Sequence, residues 1–156
     1  MKITKVLVPC LFMLVAVGSK AQTTTEITDE DLKKYAITMD SVEAMQGSLR
    51  QIVAETVQKN TVMPVARYNE LFKIIDDEAK VKAANATPEE IKFIHQINDL
   101  RKVNIERINT TYQSLAKDYV GVKAFNAIRK SLQTDQALKA RYDNVYKDME
   151  SKEKGG

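Results

Sequence analysis

Apolar residues recur at helical spacing through most of this chain, and the same arrangement is written twice. From Leu32 a heptad stripe runs through Tyr35, Met39, Val42, Gln46, Leu49, Val53 and Thr56. A second runs from Ile91 through Ile94, Asn98, Arg101, Ile105, Ile108, Tyr112, Leu115 and Tyr119. A shorter stripe follows each: Val65, Tyr68, Phe72, Ile75 and Ala79 after Pro64, then Val122, Phe125, Ile128 and Leu132 from Gly121. A last one, Leu138, Tyr142, Val145 and Met149, comes after Thr134-Asp135, which reads either as a fresh helix start or as a kink.

Short motifs repeat along with the stripes. Thr28-Asp29-Glu30-Asp31-Leu32-Lys33 returns as Thr87-Pro88-Glu89-Glu90-Ile91-Lys92, and Val65-Ala66-Arg67-Tyr68-Asn69-Glu70-Leu71 returns as Val122-Lys123-Ala124-Phe125-Asn126-Ala127-Ile128. Thr28 and Thr87 are N-cap residues, with Asp31 and Glu90 three positions on to close a capping box. Pro88 suits the first helical position. A single helical hairpin cannot bury its apolar face, and a second copy supplies the missing surface. The expectation is an all-α protein: an antiparallel bundle of four main helices, with a fifth C-terminal segment in question, made from two helix-loop-helix units spanning about 27–80 and 86–146. Val81 to Ala86 forms the link between them. The length difference between the halves falls in the connections, Gln58 to Met63 against Lys117 to Gly121, where loop changes are tolerated. Residues 22–150 make one domain, and the charged, glycine-ended Ser151 to Gly156 is expected to be disordered.

Residues 1–21 read as an address. Lys2 and Lys5 give a positive start, Val6 to Val17 is an apolar run broken by Pro9, and Ser19-Lys20-Ala21 offers small residues for cleavage after Ala21. The run is shorter than the ~20 residues a membrane span needs. Cys10, preceded by Pro9 and followed by Leu11-Phe12-Met13-Leu14, suits neither lipid transfer nor a soluble mature start. The expected address is the periplasm or the extracellular space.

That reading changes the charge. The chain has 24 basic and 21 acidic residues, but Lys2, Lys5 and Lys20 leave with the leader, so 21 basic face 21 acidic in the mature chain. No electrostatic footprint of a nucleic-acid binder remains. The one cysteine also leaves, which removes a disulfide, a thiolate nucleophile and a Cys-ligated metal.

Candidate chemistry is sparse. The single histidine, His95, has no imidazole or thiol to work with, and a di-iron bundle would need a Glu-x-x-His motif on two helices. Haem has no Cys-x-x-Cys-His to hold it. Asp76-Asp77-Glu78 lacks the oxygen-rich loop of a calcium site and reads as a solvated face. No cofactor or metal is expected.

Two sets of residues stand out instead. Gln46, Asn98 and Arg101 place polar groups inside the apolar stripes, either as a polar pocket or because Met45, Ile97 and Leu100 turn inward in their place. Gly47, beside Gln46, suggests a kink or a close helix crossing. In the repeated Tyr68-Asn69 and Phe125-Asn126, the ring is expected to plug the core and the Asn to bond loop backbone.

Taken in order, Thr-Asp-Glu-Asp-Leu-Lys-Lys-Tyr-Ala from Thr28, the two aromatic-Asn elements, Ala86-Thr87-Pro88-Glu89-Glu90-Ile91 and Thr134-Asp135-Gln136-Ala137-Leu138 resemble the bacterial exported family catalogued as domain of unknown function 4168. The resemblance covers about Ile27 to Tyr146. It implies an exported helical protein and carries no catalytic residue. One departure is Asp135-Gln136-Ala137-Leu138, where the family tends to have Asp-Pro-Glu-Leu.

The leading functional expectation is a non-catalytic envelope protein that binds a protein or envelope component through helix faces, with self-association also open to it. The second is a periplasmic chaperone or stress protein, because the repeated Thr-x-x-acidic starts look like the Leu-Thr-x-x-Gln motifs of spheroplast-protein-Y-type chaperones, although the Gln is absent both times. An enzyme would have to work with carboxylates or tyrosines alone. Intact-mass analysis of the exported protein is expected to show a chain beginning at Gln22 without added lipid; any other N-terminus refutes the assigned leader.

Overall fold

The computed structural model describes residues 26–153, so the leader and its cleavage point lie outside it. Among the described residues the protein is all-α, with six α-helices, one π-helical stretch and no strand.

The two long helices are α1 (Asp29–Lys59) and α4 (Pro88–Ser114), and each starts with a reciprocal cap. The Asp31 amide donates to the Thr28 hydroxyl at 3.1 Å while the Thr28 amide donates to the Asp31 carboxylate at 3.0 Å. Thr87 and Glu90 repeat the exchange at 3.2 and 2.9 Å. Each exchange satisfies amides that a helix start otherwise leaves without partners. Both carboxylates are held below the usual range: Asp31 by the Thr28 hydroxyl and amide, Glu90 first by the Arg67 guanidinium and then by the Thr87 amide.

Arg67 lies on α2 (Val65–Phe72) and fastens that helix to the start of α4. Its Nε donates to Glu90 at 3.0 Å and its Nη2 donates to the Ala84 carbonyl at 2.9 Å. Next comes α3 (Glu78–Ala83), capped by the Asp77 carboxylate, which accepts from the Lys80 amide. Asn85, at φ 51°, ends α3 in a left-handed turn, with the Ala86 amide reaching the Val81 carbonyl and the Asn85 amide reaching that of Lys82. After α4 the chain remains helical in a π-helical stretch, Leu115–Gly121, ending at Gly121 with φ 88°. That positive φ suits a residue without Cβ. Then follow α5 (Val122–Ser131) and α6 (Gln136–Glu153). The Leu138 amide donates to the Asp135 carboxylate at 3.0 Å, so Thr134-Asp135 opens a fresh helix.

Two apolar clusters sit at opposite ends of the long helices. One joins Val53 and Val57 of α1 with Tyr68 and Leu71 of α2 and Phe93, Ile94 and Ile97 of α4. The other joins Leu32 and Tyr35 of α1 with Val120, Phe125 and Ile128, and with Leu138 of α6. The start of α1 therefore lies beside the far end of α4, and the start of α4 beside the far end of α1. Tyr68 is buried in the first cluster and Phe125 in the second.

Several expectations need correction. Helix α2 stops at Phe72, leaving Ile75 in a turn and Ala79 in α3, because the polar run Asp76-Asp77-Glu78 starts a new helix by capping. Lys117 to Gly121 is π-helical rather than a loop, since nothing like Pro64 interrupts it. Val81 to Ala83 belong to α3 and not to the link. Ser151–Glu153 continue α6 instead of fraying. No helix crosses close to Gly47, where an added Cβ would meet only the Arg50 guanidinium at 3.8 Å. Ile105 and Tyr119 face solvent, as a long straight helix drifts off a strict heptad.

The Phe125 ring packs 5.0 Å from that of Tyr35 and 5.6 Å from that of Tyr112, centre to centre. Phe125→Ala is expected to lower stability by about 3–5 kcal/mol, the usual range for a buried ring. A thermal or denaturant melt matching the unmodified protein would show the ring does not hold this cluster.

Candidate functional site

The far half of α1 is flanked by α2 and by the middle of α4, but α2 has only eight residues and does not reach along the whole of α4. A groove of about 510 Å³ is left between the three helices. Its α1 wall carries Leu49, Arg50, Val53, Ala54, Val57 and Gln58. Val65, Tyr68 and Asn69 of α2 form a second wall, and Arg101 and Ile105 of α4 the third. Val65 and Ile105 are 42% and 49% exposed, so apolar surface opens to solvent here. The same Arg101 and Ile105 continue into a shallower depression along α4 with Asn98, Lys102 and Glu106.

Both arginines of the groove lack an acidic partner among the described residues, and no carboxylate lines it. The Arg101 guanidinium lies over the Phe72 ring, 4.7 Å from its centre, a placement that holds the charge by its attraction to the ring face. Phe72 stacks on Tyr68 at 5.6 Å, and Phe93 meets Tyr68 edge-on at 6.1 Å. Tyr68 is only 4% exposed, and its buried hydroxyl has no hydrogen-bond partner among the described residues. Burial pushes the Tyr68 phenol above its ordinary pKa, while the nearby Arg101 charge pulls part of that rise back. An unpaired buried hydroxyl costs about 1–3 kcal/mol.

A second groove, about 430 Å³, lies between α1 and α6. It is lined by Asp40, Glu43, Asp143 and Glu150 with Tyr142, Tyr146 and Lys147. The Tyr146 hydroxyl donates to Asp40 at 3.4 Å, and the Asp40 charge raises the Tyr146 pKa. No three His, Cys, Asp or Glu side chains come together to hold a metal ion among the described residues. Nor is any described helix long and apolar enough to cross a membrane.

Of the residues singled out by sequence, Arg101, Tyr68 and Asn69 meet in the first groove, and Asn98 lies in its extension along α4. Gln46 is exposed on α1 and lines neither, while Met45 and Leu100 are half-buried and Ile97 is buried. Thr28, Asp31, Thr87 and Glu90 make the caps described above. Asn69 and Asn126 do not bond loop backbone: each sits four residues into its helix, where the adjacent backbone groups are already paired, and each amide is exposed. His95 is exposed on α4, and Asp77 caps α3 while its carboxylate pairs with Lys80 at 2.8 Å. Nothing in the sequence around Arg50 or Arg67 marks the place either takes in the fold. The chain separation between Arg67 and Glu90 gives no local signal of their pairing.

Comparison with known proteins gives no match to a family model, a curated protein or a solved structure. The likeness to the exported family of unknown function therefore rests on the motifs quoted above.

Replacing Tyr68 by Phe removes the orphaned hydroxyl and keeps the ring. Tyr68→Phe is expected to stabilise the protein by about 1–2 kcal/mol, seen as a raised thermal midpoint. A lowered midpoint would mean that the hydroxyl has a partner in solution.

Proposed function

We propose that the chain is a non-catalytic, exported binding module of the cell envelope, related to the family of unknown function it resembles, with the groove between α1, α2 and α4 as its site. One observation carries the reading: the apolar-walled groove between α1, α2 and α4 holds two arginines without acidic partners among the described residues, beside a buried hydroxyl without an acceptor. Sites for small molecules and peptide segments share this make-up of apolar walls with a few polar groups. The expected partner is a protein or envelope component, and neither nucleic acid nor a spanned membrane enters the reading.

The two halves are read as copies of one unit, a long helix, a short aromatic-bearing helix and an Asp-capped third helix, packed as an antiparallel bundle of α1, α2, α4 and α5 with α6 as fifth. The paired caps at Thr28 and Thr87, the buried Tyr68 and Phe125, and the capping Asp77 and Asp135 all support this. It also supplies a reason for the open surface. Met39 of α1 packs against the cluster containing α6, whereas its repeat counterpart Asn98 lines the depression along α4, and α3 ends at Ala83 where α6 runs to Glu153.

The exposed apolar residues of this surface, Val65 and Ile105, favour a chaperone as the second reading. One experiment separates the two. With a photo-crosslinking amino acid at Ile105 and, as a control, at Lys130 on α5, illumination of the native envelope is expected to give one discrete adduct at Ile105 only. A ladder of many client adducts would favour the chaperone, and equal labelling at both positions would remove the groove as a site.

A further inference from the structure

Charge in the groove is one-sided. Arg101 and Arg50 bring ten guanidinium N–H donors by their chemistry, and neither residue makes a hydrogen bond or ion pair to another side chain among those described. Tyr68 gives the same lining the edge of its ring, its own hydroxyl being buried. The missing counterpart is an anion with several lone pairs to share. A carboxylate has about four such positions and matches the planar fork of an arginine.

The remainder of the lining asks for hydrocarbon. Leu49, Val53, Ala54 and Val57 form a continuous face on α1, and the wall from Leu49 to Gln58 is about 13 Å long at the helical rise per residue. The volume of about 510 Å³ lies within the range of small-molecule sites, about 300–1,000 Å³. An incoming helix would meet the apolar face, but its backbone acceptors are spent within it and leave the guanidinium donors unanswered.

We propose that this groove binds a single-chain amphiphile with a carboxylate head, a long-chain fatty acid in its simplest form, the arginines holding the head and the α1 face the chain. The proposal rests on the groove being the binding site and adds the chemistry of its occupant. Arg101, steadied over Phe72, is the principal contact for the head, and Arg50, more exposed, is the lesser one.

The test uses delipidated protein beginning at Gln22, titrated with cis-parinaric acid below its micellar concentration and at a mildly alkaline pH that keeps the probe ionised. Saturable one-to-one binding is expected. Arg101→Gln should weaken it about tenfold or more, as expected on losing a charge-assisted hydrogen bond, while Arg129→Gln on α5 leaves it unchanged. The methyl ester should bind the unmodified protein more weakly than the acid, and the difference between acid and ester should shrink in Arg101→Gln, where only Arg50 remains. Ala54→Trp, at an exposed helical position, fills the groove without opening the core and should abolish binding even if Arg101→Gln folds poorly. Absence of saturable binding, or equal affinity for acid and ester on the unmodified protein, overturns the proposal. A discrete protein adduct at Ile105 alongside absent parinarate binding would remove the amphiphile and leave the binding module standing. Absence of both would remove the two together.

Discussion

Two helices lying side by side bury only one stripe of each, and the remaining apolar positions need a third element to cover them. Everything distinctive in this molecule follows from where that cover is supplied. At one end it comes from α2, with Tyr68 and Leu71 set between the end of α1 and the start of α4. At the other it comes from α5 and α6, with Phe125 and Leu138 over the start of α1. Along the first cluster one side is left uncovered, and the groove lies there.

The cover is held in place by contacts of unequal strength. Arg67 binds a carboxylate that is only 12% exposed and already engaged in a helix cap, so α2, the end of α3 and the start of α4 are tied at one point. At the other end, Arg141 of α6 reaches Asp29 and the Ile27 carbonyl at the start of α1, but Asp29 is 73% exposed. Exposed pairs of that kind contribute about 0–1 kcal/mol, so α6 is held mainly by Leu138, Tyr142 and Val145 against the second cluster. The wall of the groove formed by α2 is thus positioned by directed polar contacts, and the opposite end of the molecule by packing.

The parts of this arrangement that could be read from the chain are those with local causes. A threonine followed three residues later by an acid writes its own helix start, and the buried aromatics Tyr68 and Phe125 each mark a short helix that plugs a cluster. The end of α2 at Phe72 was not readable, because Lys73-Ile74-Ile75 continues an apolar pattern and only the later capping by Asp77 breaks it. The π-helical stretch after Ser114 likewise has no marker until Gly121. The site itself depends on residues from three helices. Arg101 looked like a fault in a stripe, and its meaning comes from Phe72 beneath it and Tyr68 beside Phe72, neither of which is near it in the chain.

Gly121 closes the π-helical stretch at φ 88°, yet a methyl group built on it would touch nothing within 4 Å. The obstacle to a side chain there is therefore handedness rather than room. An alanine there would be strained by its own backbone and by no neighbour. The turn from α4 into α5 is in that sense limited by torsion angles, with space left over on the outside of the bend.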